Sequence, residues 1–247
     1  MLTLKVLATG SSGNCYLLDS GKEVLILDCG IPIKQIKKGL NFNVSRICGV
    51  CVTHAHLDHS KSVKDFENMG IKVLAPYNKG VDFPGEHEER IHYTCGEFDI
   101  NAFALTDANG RFMHTNNDGS ECPCYGFYIS HPDMGKLVYI TDTELVKWRF
   151  QHINHILISC NYDKDLIPKD HPAREHIFRG HMELQTVKGF VKANKSDALR
   201  TLLLCHLSGD NSDSSKMLAE VSKVSGYGVK CACAVPGQEI ELSLLPF

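Results

Sequence analysis

The sequence predicts an α/β protein of the αββα sandwich kind, with two mixed β-sheets packed face to face and helices on their outer faces. Three observations predict it. Apolar, strand-like runs recur along the whole chain. Helical segments are inserted between those runs rather than gathered at one end. The length of 247 residues suffices for one large α/β domain with a full core. No repeat, low-complexity tract or linker interrupts the pattern, so residues 1–247 read as one domain.

The elements follow in order. LTLKVLA (2–8), CYLLD (15–19) and EVLILD (23–28) read as strands, with the Gly-rich turn GSSGN (10–14) between the first two. Residues 32–40 form a short helix with Pro32 near its first turn. The apolar run 47–52 is a strand leading straight into THAHLDH. Residues 60–69 are helical and 71–75 a strand, whereas 76–95 hold few apolar residues and read as loop. Strands are expected at 98–105, 125–131, 136–141 and 154–160, with a helix at 144–152. The remainder reads as a helix at 183–192, strand TLLLC (201–205), a helix at 213–224 and two final strands.

Composition is that of an ordinary globular chain, 43% apolar and 22% charged. No stretch approaches bilayer-spanning length, and the start lacks a charged region before an apolar run. These point to a cytoplasmic protein with no membrane partner. The eleven cysteines are odd in number and scattered, so they read as reduced thiols. Cys48/Cys51, Cys122/Cys124 and Cys231/Cys233 have metal-like spacings, but the first and last pairs lie in strand-like apolar runs, where packing explains them better. Net charge is −3 and no Lys/Arg run exceeds two residues, which argues against a protein that tracks long nucleic acid. Lys34, Lys37 and Lys38 read as a solvated helix face.

The strongest signal is Thr53-His54-Ala55-His56-Leu57-Asp58-His59-Ser60. Four metal-capable side chains fall within six residues, directly after a buried strand. A loop leaving a strand end points alternate residues into one cleft, so His54 and His56 can reach one ion while Asp58 and His59 face another. Imidazole nitrogen and carboxylate oxygen suit zinc, and also manganese or iron.

This motif resembles that of the metallo-β-lactamase superfamily, and the resemblance extends over nearly the whole chain. It implies further roles. Asp28 in LILDCG supports the metal loop, Asp142 in VYITDTE bridges the ions, and His206 in LLLCHLS binds the second metal. His114 is the candidate third ligand of the first metal. It lies in a long polar insertion that also offers Asp107 and Asp118. His181 either protonates the leaving group or is a helix-entry histidine bonded to backbone. Ser12, Asn14 and Ser208 are candidate substrate contacts.

Secreted β-lactamases lack a histidine after the metal-binding aspartate, and the di-iron branch has Glu at the position of His56. VLATGSSGNCYLL, SCNYD, GHMEL and HLSGDNSD are similar to the YycJ/WalJ group and, with it, to phage anti-Pycsar cyclic-nucleotide phosphodiesterases. The resemblance implies hydrolysis of a phosphodiester by water activated between two divalent ions, zinc first and manganese second, with Asp58 and His181 taking part in catalysis. A small, cyclic nucleotide is the favoured substrate, because there is no basic run, the insertion at 106–124 suits a lid, and no module is appended. The alternatives are a DNA or RNA exonuclease and a non-catalytic metal-binding module. Likeness to the phage proteins also implies a homodimer, acting in a bacterial cytoplasm or, if phage-encoded, in the host's.

Overall fold

The computed structural model describes residues 1–77, 90–171 and 174–244. Thirteen strands form: β1 (Thr3–Ala8), β2 (Cys15–Asp19), β3 (Val24–Leu27), β4 (Ile47–Cys51), β5 (Val73–Leu74), β6 (Arg90–Cys95), β7 (Phe98–Ala104), β8 (Tyr125–His131), β9 (Gly135–Ile140), β10 (His155–Ser159), β11 (Thr201–Cys205), β12 (Lys230–Cys233) and β13 (Glu239–Glu241). The helices are α1 (Ile33–Gly39), α2 (Leu57–Ser60), α3 (Val63–Asn68), α4 (Arg174–Phe178), α5 (Leu184–Asn194) and α6 (Ser214–Ser225). One mixed sheet has the order β13-β1-β2-β3-β4-β5 and the other β12-β11-β10-β9-β8-β7-β6. Two mixed sheets with interspersed helices are the class the sequence predicts.

The chain divides into two compact units, one comprising Met1–Phe103, Phe127–Gly135 and Ala234–Phe247, the other Ala104–Gly126 and Lys136–Cys233. In the first unit, β3 is buried at every position, as its continuous apolar run requires. It pairs parallel with β4 in the register Leu27↔Cys51. Parallel pairing puts both C-terminal ends at one edge, so Asp28 and Thr53-His54 emerge side by side. The core there joins Ile26, Val50 and Val52 to Ile36 of α1, its cap Leu40 and Phe66 of α3.

In the second unit, β9, β10, β11 and β12 are parallel neighbours, with Ile140 opposite Ile158 and Ile158 opposite Leu204. Asp142, Asn161 and His206 therefore leave the sheet at the same edge, where open parallel sheets carry their sites. Helices α5 and α6 each start on an acidic cap. Glu183 accepts from the backbone N–H of Gln185 and Thr186, and Asp213 from that of Lys216.

Two expectations fail. Residues 144–152 form no helix. Tertiary bonds hold this stretch open instead: Trp148 Nε1 donates to the Ala104 carbonyl at 3.0 Å, and the Phe150 N–H donates to Asn194 Oδ1 at 2.7 Å. The expected loop at 76–95 contains β6 in its last part, while residues 78–89 lie outside those described.

Candidate metal centre

The first unit carries the histidine motif. Asp28 is fully buried, and its carboxylate organises the loop after β4. Oδ1 accepts from the Thr53 N–H at 2.8 Å, the Thr53 hydroxyl lies 3.1 Å from both oxygens, and Oδ2 meets His59 Nδ1 at 2.7 Å. A carboxylate only accepts, so Nδ1 carries the proton and Nε2 of a neutral ring keeps its lone pair. That Nε2 lies 3.3 Å from Asp58 Oδ2. The ring of His54 stands 4.8 Å from that of His56 and 4.2 Å from that of His59.

The backbone of this loop is held from beneath. The Cys29 N–H donates to the His59 carbonyl at 2.8 Å, and the Asn14 N–H to the Asp58 carbonyl at 2.7 Å. A β-carbon on Gly30 would stand 1.7 Å from the Asp58 carbonyl oxygen, so only glycine lets the two segments approach. Asn14, an expected substrate contact, is buried. Its amide bonds Gly10 and the Asp58 carbonyl and lies 3.1 Å from His59 Nε2. This geometry makes it a support of the metal loop. Ser12 is exposed on the same turn.

The second unit carries the remaining candidates. His114 Nδ1 lies 3.1 Å from the Gly180 carbonyl. A carbonyl only accepts, so Nδ1 is the protonated nitrogen of this ring in that contact. Gly180 has φ +72, and a β-carbon there would come within 2.5 Å of His114 Nδ1. Its N–H donates to Glu144 Oε1 at 3.0 Å. The His181 ring stands edge-on to that of His114 at 5.9 Å. His206 Nε2 faces Asp142 Oδ2 at 3.5 Å. Asn161, oriented by the Met182 N–H, donates to the His206 carbonyl at 3.1 Å and lies 3.2 Å from its Nδ1. Ser208 Oγ accepts from the Asn211 N–H at 3.3 Å and so pins the turn after His206.

The alternatives to His114 are engaged elsewhere. Asp107 accepts from the N–H groups of Asn109 and Arg111, and Asp118 from the N–H and hydroxyl of Ser120. The Arg111 N–H and the Ser120 hydroxyl, respectively, are the chief causes that hold these carboxyls below the usual range. Asp107 is half-buried and Asp118 exposed, and both hold turns. No cysteine belongs to a metal-capable group among the described residues, and burial pushes the thiols of Cys48 and Cys51 up.

Asp28, Asp142 and His206 all adopt positive φ, at 55°, 46° and 51°. Such strain costs about 1–3 kcal/mol at each non-glycine position and gathers at functional sites.

Residues 8–157 match the metallo-β-lactamase superfamily profile. The chain belongs to that superfamily. It is 26% identical to exodeoxyribonuclease YycJ of Bacillus anthracis over 92% of each chain. It is 24% identical to exodeoxyribonuclease WalJ of Streptococcus pneumoniae, over 89% of this chain and 86% of the relative. Similar solved structures include YhfI of Bacillus subtilis (TM-score 0.66, 16% identity, 98% of this chain and 100% of that one). Yeast PDE1 is comparable (0.64, 11%, 96% and 98%), as is the short form of human tRNase Z (0.58, 15%, 98% and 100%). At such identities the structures speak to fold. A metallo-β-lactamase-fold chain with these histidine and aspartate clusters is a metal-dependent hydrolase that takes divalent ions.

Sequence reasoning named the ligand candidates and Asp28 as a support of the loop, but missed the other supports. Thr53, Glu144, Gly30 and Gly180 stand inside the quoted motifs, but the sequence assigned none of them a role. No helix among the described residues is long and apolar enough to cross a membrane.

Proposed function

We propose that the chain is a phosphodiesterase of the exonuclease type, hydrolysing DNA strands with two divalent ions, zinc first and manganese second. The observation that carries this is its similarity, along nearly the full length of both partners, to the exodeoxyribonucleases YycJ and WalJ. In this reading His54, His56 and His114 would hold one ion and Asp58, His59 and His206 the other, with Asp142 available to both. The Nδ1 contacts of His59 with Asp28 and of His114 with the Gly180 carbonyl fix both rings, which suits that role. When bound, the ions supply an acidified water and withdraw charge from the phosphate. Asp28 orients His59, Glu144 and Gly180 orient His114, and His181 returns a proton to the departing oxygen.

The sequence reading favours a small cyclic nucleotide, partly because the polar insertion resembles a ligand-binding lid. That support weakens because its polar groups bond one another: Asp107 with Arg111, Asp118 with Ser120, and Asn116 with Ser120 and Glu121. The deciding experiment compares cyclic mononucleotides with labelled single-stranded DNA, using one zinc- or manganese-loaded preparation. Progressive shortening of the strand, abolished by Asp142→Ala, is expected. Efficient cyclic-nucleotide turnover with the strand left intact would overturn the exonuclease reading.

A further inference from the structure

The first unit carries an exposed aromatic side chain that its local structure does not explain. Helix α1 ends with Leu40 as its cap. The Asn41 N–H then donates to the Lys38 carbonyl at 3.0 Å, and the Phe42 N–H to the Lys37 carbonyl at 2.7 Å. This is a Schellman ending, in which the residue at the Phe42 position commonly packs back against the last turn. Phe42 instead points outward, 68% exposed. It also holds φ +62, a conformation that disfavours a bulky residue. A strained backbone and a solvated ring both count against phenylalanine here on stability grounds.

The flanking sequence is cationic. Between Asp28 and Asp58 the chain has no acidic residue, while it has Lys34, Lys37, Lys38 and Arg46. Arg46 is paired with Asp19. Lys34 and Lys38, four residues apart, share the exposed face of α1. Lys37 and Lys38 suit the negative end of the helix dipole, but that accounts for neither Lys34 nor Phe42.

The patch is also tied to the metal loop. Residues 29–31, which lead into α1, are bonded to it: Cys29 N–H to the His59 carbonyl at 2.8 Å, Ser62 N–H to the Cys29 carbonyl at 3.0 Å, and Ser62 Oγ to the Ile31 carbonyl at 2.7 Å. Ile36 and Leu40 anchor α1 in the core. A rigid helix about 10 Å long therefore runs from the metal loop to Phe42.

We infer that Phe42 stacks on a base of a single-stranded polynucleotide while Lys34 and Lys38 contact its phosphates, a second contact beyond the cleavage centre. Aromatic stacking beside a cationic track is how proteins grip single strands without reading sequence. The inference rests on the exonuclease reading.

The test measures binding of fluorescein-labelled oligo(dT) to full-length protein in chelator, where no cleavage occurs. Phe42→Asn removes the ring with a residue that tolerates positive φ, so the turn survives. It should weaken binding about tenfold, the scale of one lost stack. Hydrolysis of bis(p-nitrophenyl) phosphate by the metal-loaded variant should be unchanged. Phe42→Trp should keep the affinity, and its indole emission should be quenched by oligo(dT). Oligonucleotide binding by Phe42→Asn equal to wild type, or an indole in Phe42→Trp that ignores the strand, overturns the inference while leaving the exonuclease reading intact. Wild-type protein that neither binds nor digests the strand overturns both.

Discussion

At the residue scale, the candidate centre depends on where protons sit. Asp28 accepts from His59 Nδ1 and from Thr53 N–H, fixing both the ring and the loop that carries it. Asp28→Asn keeps the size of the side chain and tolerates φ +55, but removes the charge that holds the Nδ1 proton. Zinc affinity, measured by competition with a chelating dye, should fall about 10- to 100-fold, as for other orienting partners of metal histidines. Unchanged affinity would mean that the carboxylate only supports the loop. A parallel comparison concerns the insertion. His114→Ala should lower metal content, while Asp107→Ala and Asp118→Ala, which lose only turn bonds, should not. Metal loss in an aspartate variant alone would move the ligand away from His114.

At the scale of elements, parallel pairing brings strand ends together and close backbone approach locks them. Gly30→Ala is the sharpest probe. Its β-carbon would meet the Asp58 carbonyl oxygen at 1.7 Å, and backbone cannot move aside as a flexible side chain can. Overpacking costs about 1–3 kcal/mol where side chains adjust. The loss read from urea unfolding should reach at least that range, with metal affinity falling as well. A variant of normal stability and affinity would show that the 28–31 and 58–59 segments are not locked.

The strands and motifs of this centre were legible in the sequence because apolar periodicity and histidine spacing are local signals. Helices α5 and α6 were also legible, and the structure starts each on the acidic residue where the sequence begins it, Glu183 and Asp213. The stretch 144–152 was not. ELVKWRFQH has helical propensity, but Trp148 and Phe150 are held by Ala104 and Asn194, each 44 residues distant in sequence. Long-range bonds of that kind leave no local trace. The outward turn of Phe42 was equally hidden, because sequence does not distinguish an exposed phenylalanine after a short helix from a buried one.

At the scale of the whole molecule, the buried thiols make a prediction about pH. Burial pushes Cys15, Cys29, Cys51 and Cys160 well up, and Cys48 up to about 12. The folded chain therefore keeps its thiol protons where the unfolded chain, with thiols near 8.5, begins to lose them. Raised folded values give stability that is fully present below about pH 8.5 and declines as pH rises through the folded values. Urea midpoints under reducing conditions should thus be level, on the thiols' account, from about pH 7 to 8, and should fall above about pH 8.5. A midpoint that rises through that window would contradict the burial of these groups.

The central claim is that the histidine and aspartate clusters form a two-ion hydrolytic centre. The most direct measurement titrates chelator-stripped protein with zinc or manganese while following both bound metal and digestion of labelled single-stranded DNA. The account predicts no digestion without metal, a rise with added ion, and saturation at two bound ions per chain. Full digestion by the metal-free protein, or saturation at a single ion, would contradict it.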